Sequence, residues 1–182
     1  MTDHTLDPLT EDEVRGVIET FWALDADKAH LADFLPIMDD DFVIRAVGES
    51  GDEAARFDGL AGLEDHQDGK MDFFDEEFHL ESLELTTPGP VAVVHTTAVW
   101  TFRHRVPRAA SSEVCVADLA HEWYLRRHPV RLTPVMTGHT CTRFAFRPGQ
   151  APTTPNARQA VKHSSEALHL DPSALMGRQH PS

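Results

Sequence analysis

The chain has 182 residues, 41% of them hydrophobic, with 30 acidic side chains against 16 basic ones and a formal net charge of -14. That length suits one domain whose core buries roughly two thirds of the extended surface, so neither a disulfide nor a metal is needed for stability, and the negative charge repels phosphate backbones and anionic lipid alike. The longest apolar stretches, Pro90 to Val94 and Leu31 to Met38, are far too short to span a bilayer, and the acidic start MTDHTLDPLTEDE does not read as a signal peptide, so a cytoplasmic protein with no nucleic-acid or membrane partner is expected.

Residues 1–9 are expected to be disordered. Thr10 and Glu13 have capping-box spacing and open a helix whose apolar positions Val14, Val17, Ile18, Phe21 and Leu24 share one stripe. Asp27 caps a second, shorter helix carrying Leu31, Phe34, Leu35 and Met38, with Pro36 opening its last turn. After Asp39, Asp40 and Asp41 comes a short apolar run, Phe42 to Val47, and then the turn-rich GESGDEAAR leading to Phe57.

From Gly59 to Phe74 the pattern is helical again. Leu60, Leu63, Gln67, Met71 and Phe74 form its buried stripe, and His66 and Lys70 lie at the edge, where a side chain can look into a pocket. Four strand runs follow, Glu77 to Thr87, Pro90 to Val106, Glu113 to Arg127 and Val130 to Arg147, joined by TPGP, PRAASS and RRHP. Connectors this short make successive strands antiparallel neighbours. The fold class is therefore α+β, a strongly curved antiparallel sheet wrapped around N-terminal helices with a central pocket between them. Several runs are apolar on both faces, which predicts a homodimer through the sheet. Beyond residue 147, RPGQAPTTPN reads as a linker, Ala157 to Leu170 as a weak helix anchored by Val161, Leu168 and Leu170, and DPSALMGRQHPS as disordered or docked on a partner.

Cys115 and Cys141 fall on the last two runs. The Cys115, Leu119, His121 and Trp123 face and the Leu132, Met136, Phe144 and Phe146 face match in a register that puts the two sulfurs on opposite sides, which predicts two free buried thiols. None of the 12 histidines stands in a His-x-His, His-x-x-x-His or His-Glu-x-x-His arrangement, so no metal and no cofactor is expected.

The element order, together with FDGLAGLEDHQ at the start of the third helix, resembles the nuclear transport factor 2-like superfamily and, within it, the SnoaL-like and ketosteroid-isomerase-like enzymes. The resemblance covers residues 10–147 and implies a cone-shaped barrel with an internal pocket, frequent dimers and mostly cofactor-free acid-base catalysis. Residues 148–182 form a tail outside it. Specific family machinery does not carry over. Ketosteroid-isomerase-like members use a pocket tyrosine, and scytalone-dehydratase-like members a pair of them, whereas Tyr124 is the single tyrosine and stands late in the third strand run. No Arg-x-Asp strand motif, which limonene-epoxide-hydrolase-like members use, falls within the four strand runs above. The looser SnoaL-like pattern of one acid and one histidine in the cone remains.

Asp41, at the handover from helix to strand, is the candidate base, because burial in an apolar cone raises a carboxylate's pKa. The plainer reading makes Asp39 to Asp41 solvated loop acids. His66 and His121 are the candidate proton donors. Trp22, His95, Trp100, Trp123 and His139 are candidate substrate contacts, against the plainer reading of packed tryptophans and hydrogen-bonded strand histidines. Asp118, in an apolar run but on the strand face opposite His121 and Trp123, is the alternative acid. The function expected is cofactor-independent isomerisation, cyclisation or dehydration of an apolar, cyclic, carbonyl-containing small molecule. The alternatives are a ligand-binding or dimerisation module without chemistry, and an accessory subunit of a larger enzyme.

Overall fold

Thr10 Oγ1 accepts the Glu13 N–H at 3.2 Å, and Glu13 Oε2 accepts the Thr10 N–H at 2.9 Å, closing the capping box that starts α1, Glu11–Ala26. The second helix, α2, is a single turn, Leu31–Phe34. Pro36 ends it by diverting the chain into a 3-10 turn, Leu35–Ile37. The strands are β1 Met38–Val47, β2 Glu53–Asp58, β3 Phe73–Leu85, β4 Val91–His104, β5 Val114–Arg127 and β6 Pro134–Phe146; α3, Gly59–Gly69, precedes β3, and α4, Pro155–Ala167, ends the fold. This computed structural model describes residues 6–47, 53–86 and 90–167. The connectors GESGDEAAR and TPGP lie partly outside them. Residues 1–5, Leu168, Leu170 and the DPSALMGRQHPS segment lie wholly outside them.

The six strands form one sheet in the order β2-β1-β6-β5-β4-β3, open at its β2 and β3 edges. It wraps around the helices as expected, but it is not wholly antiparallel: β1 runs parallel to β6, because the chain crosses from one half of the sheet to the other between them. Other boundaries also shift. β1 begins at Met38 and draws the acidic triple into the strand. Helix α3 stops at Gly69, short of Phe74. Strand β6 begins at Pro134, because His128 Nδ1 accepts the Val130 and Arg131 N–H groups at 3.2 and 3.1 Å and holds the preceding residues in a turn that exposes Val130 and Leu132.

Two apolar clusters fill the interior. The larger joins the α1 stripe to Phe34, Phe42, Leu63, Trp123 and Met136, and the smaller joins Phe73, Trp100, Phe102, Cys115 and Phe144. Both cysteines are free. The reason differs from the expected one: a register shift between Ala120 and His121 sets Cys141 opposite His121, so both sulfurs share the inner face but sit six residues apart along β5, roughly 20 Å. Helix α4 packs on α3 and β4, burying Ala157, Val161 and Ser164, and the Ser164 hydroxyl lies 2.7 Å from His104 Nε2. Among the described residues no helix is long and apolar enough to cross a membrane.

Gly62 lets α3 lie directly on β2, since a Cβ there would collide with the Phe57 backbone. Gly62→Ala should therefore cost about 1–3 kcal/mol of stability, read from urea unfolding, whereas a loss well below that range would mean that α3 is not seated this closely.

Candidate active site in the cone

Where the two clusters meet, the packing leaves a cavity of about 80 Å³ lined from α1, α3 and every strand of the sheet. Its walls are mostly aromatic. Trp22, Phe78 and Trp100 stand as parallel plates, with centroids 5.4 and 5.7 Å apart and interplanar angles of 5° and 6°. The Lys70 ammonium sits 5.3 Å from the Phe78 ring centre and 5.5 Å from that of Trp100.

Charge enters this apolar space from the helices. Asp25, on the last turn of α1, is buried and lines the cavity. A carboxylate at a helix C-terminus opposes the helix dipole, so its ionised form needs compensation from elsewhere. Lys70, just past the end of α3, supplies it through a direct ion pair with Asp25 and a second to Glu76 at 2.8 Å. Glu76, whose side chain is 0% exposed, also pairs with Lys28 and accepts the Trp100 indole N–H at 3.1 Å. Two carboxylates and two ammonium groups thus balance. His66 Nε2 lies 3.5 Å from Asp25 Oδ1. Burial pushes the Asp25 carboxyl up, but the Lys70 ammonium and the His66 ring outweigh it and hold the group well below the usual carboxylate range. Lys70 is likewise opposed by burial and held above the ordinary lysine value by Asp25 and Glu76.

His121 on β5 and His139 on β6 face each other across the cavity wall, with centroids 5.5 Å apart. Burial pushes His121 down to about 4, and burial together with the neighbouring His121 and His66 rings pushes His139 well below its ordinary value. Both are neutral near pH 7. His121 Nδ1 and both ring nitrogens of His139 are buried without a hydrogen-bond partner among the described residues. A histidine depressed on folding leaves stability unaffected by its titration above the unfolded value of 6.5 and weakens the fold as pH falls from there to about 4, by about 3 kcal/mol in all for His121. The wild type should therefore weaken between about pH 7 and about pH 4.5 in urea titrations, and His121→Phe should weaken less over the same interval. Equal losses would place His121 in water.

The structure brings His66, His121, Trp22, Trp100 and His139 to the cavity lining, with Trp123 buried behind it against Phe21 and Trp22. Three candidates stand elsewhere. Asp41 is exposed on the outer side of β1, because Phe42 and Ile44 take the inward positions and alternation turns Asp41 away. His95 is 49% exposed on the outer face, with Nδ1 3.6 Å from Glu122. Asp118, also outside, accepts from Arg147 Nε at 2.9 Å. Asp25, Lys70's pairing and Glu76 were not singled out from the sequence. The available signal was Asp25 itself, an acid spaced three, four and seven residues from Trp22, Phe21 and Ile18 on the apolar stripe of α1. Among the described residues no three His, Cys, Asp or Glu side chains converge as metal ligands.

No family model matches the chain, and no curated protein matches it. Solved structures do. A protein of unknown function from Mycobacterium tuberculosis is 10% identical over 86% of this chain and 92% of its own, with a TM-score of 0.61. A nuclear transport factor 2-like superfamily protein from Salmonella enterica serovar Typhimurium is 13% identical over 79% of this chain and 93% of its own, with a TM-score of 0.57. A ketosteroid isomerase-like protein from Erwinia carotovora is 14% identical over 74% and 97%, with a TM-score of 0.53. Likenesses at this level of identity concern the fold.

Proposed function

Within the nuclear transport factor 2-like fold that this chain adopts, we propose an enzyme that moves a proton beside a carbonyl group without a cofactor, as an isomerase, cyclase or dehydratase does. The observation that carries this reading is the buried Asp25 carboxylate 3.5 Å from His66 Nε2 inside an aromatic cavity. An ionised carboxylate only accepts hydrogen bonds, and Asp25 Oδ1 has no hydrogen-bond partner among the described residues, so a small approach from 3.5 Å lets it accept from His66 Nε2, which leaves the Nδ1 lone pair as the base. His66 Nδ1 takes the proton from the carbon next to the carbonyl. The carbonyl oxygen gathers negative charge, and a neutral His121 stabilises it by donating from its ring nitrogen. His66 then returns the proton to a neighbouring atom, or to a departing hydroxyl.

The cavity opens to the surface, and its volume of about 80 Å³ is about half of the roughly 150 Å³ that holds benzene. The cavity therefore takes the reacting end of a substrate, and any larger ring stays at the mouth. Small neutral ketones and hydroxyketones in D2O, followed by proton NMR, test the proposal. The wild type should exchange the α-protons of at least one of them, and His66→Ala should lower that rate by about 10²–10⁴. Binding without exchange, or exchange that survives His66→Ala, would contradict it. Binding without exchange would instead favour a ligand-binding module.

A further inference from the structure

The proposed chemistry uses His66 and one donor from His121, which leaves His139 unexplained. A buried imidazole with no partner on either nitrogen costs the fold roughly 1–3 kcal/mol for each unsatisfied group, and nothing in the packing of β6 demands a histidine there. Phe21, Phe42 and Trp123 surround the ring at 5.1, 6.2 and 4.6 Å, an environment that suits phenylalanine better. Such a group is explained when a ligand supplies the missing bonds. A neutral imidazole offers one N–H donor and one bare nitrogen acceptor, so a ligand that both accepts and donates can bond to both facing rings at once. With ring centroids 5.5 Å apart, they can address oxygens on neighbouring carbons.

Charge narrows the ligand further. Asp25 and Glu76 are already matched by Lys70 and Lys28, and Arg45, which also lines the cavity, is paired with Glu53 at 3.3 Å, so a carboxylate or ammonium group here would have to displace an existing partner as well as lose its water. From the His121–His139 pair we infer that the site recognises the uncharged α-hydroxycarbonyl end of a small molecule: the carbonyl oxygen accepts from one imidazole N–H, and the hydroxyl donates to the bare nitrogen of the other. The inference rests on the proposed function for the location of the site, but it concerns recognition and not turnover. It also excludes α-keto acids and simple ketones as preferred ligands.

All three tryptophans line or back the cavity, so tryptophan fluorescence reports its occupancy. Titration with 3-hydroxybutan-2-one, butan-2-one and pyruvate at equilibrium tests the inference without needing any reaction. The hydroxyketone should bind at least about tenfold more tightly than the ketone, the size expected when polar groups otherwise left unpaired are satisfied, and pyruvate should bind more weakly than both. His139→Phe, which removes the acceptor for the hydroxyl, should abolish the preference for the hydroxyketone, whereas His121→Phe, which removes the donor to the carbonyl oxygen, should weaken both neutral compounds. Equal or reversed affinities in the wild type, no binding of either neutral compound, or a preference that survives His139→Phe would overturn the inference. A wild type that shows the preference but exchanges no α-proton would refute the proposed chemistry and leave the recognition intact.

Discussion

Replacing Asp25 with asparagine should slow α-proton exchange about a hundredfold or more while changing ligand affinity only a few-fold. The amide keeps the shape of the carboxylate but reverses its hydrogen bonding. Its NH2 group donates to His66 Nε2, the ring proton moves to Nδ1, and the lone pair that faces the substrate is lost. Asp25→Asn also leaves Lys70 paired with Glu76 at 2.8 Å, so the fold retains a partner for the buried ammonium. Thermal melts of the same variant separate a catalytic loss from an unfolded sample. Exchange at the wild-type rate in folded Asp25→Asn would remove the carboxylate from the mechanism.

Lys70→Met should be the most damaging single substitution to stability. It strips the shared cation from two buried carboxylates, and breaking a buried ion pair from one side costs about 3–5 kcal/mol. At this chain length that corresponds to a fall in melting temperature of roughly 10 °C. Because the penalty is the uncompensated charge and not the lost contact, Lys70→Met combined with Asp25→Asn should lose less than the sum of the two single variants. A loss under about 1 kcal/mol for Lys70→Met alone would mean that the pair is hydrated.

Local patterns revealed the parts of this fold that local chemistry decides. The Thr10 and Glu13 cap, the break at Pro36 and the alternation that turns His121 and Trp123 inward all depend on residues near one another in the chain. The parallel seam between β1 and β6 joins segments about a hundred residues apart, and no local pattern encodes it. The register shift that carries Cys141 to the inner face is equally invisible, because it arises from how β5 and β6 meet.

The site divides the same way. His66 stood out as an edge residue of a helical stripe, whereas its fixed partner Asp25 comes from a different helix 41 positions earlier. Asp41 drew attention because it stands at the handover from helix to strand, from which a carboxylate can reach an apolar cone; with β1 starting at Met38, the alternation of the strand governs instead and points that carboxylate outward. Asp25 broke a local rule twice, as an acid on an apolar stripe and as an acid in the last turn of a helix. Such breaches mark functional positions more often than ordinary packing does.

The account depends on imidazoles held away from water beside an ionised carboxylate. Nitrogen-15 NMR of the histidine rings measures this directly. The neutral form of the His66 ring should carry its proton on Nε2, His121 should stay neutral down to about pH 5, and the His139 midpoint should lie below the ordinary histidine value. A midpoint near the ordinary value of 6.5 for either His121 or His139, or a His66 ring protonated on Nδ1 alone, would contradict it.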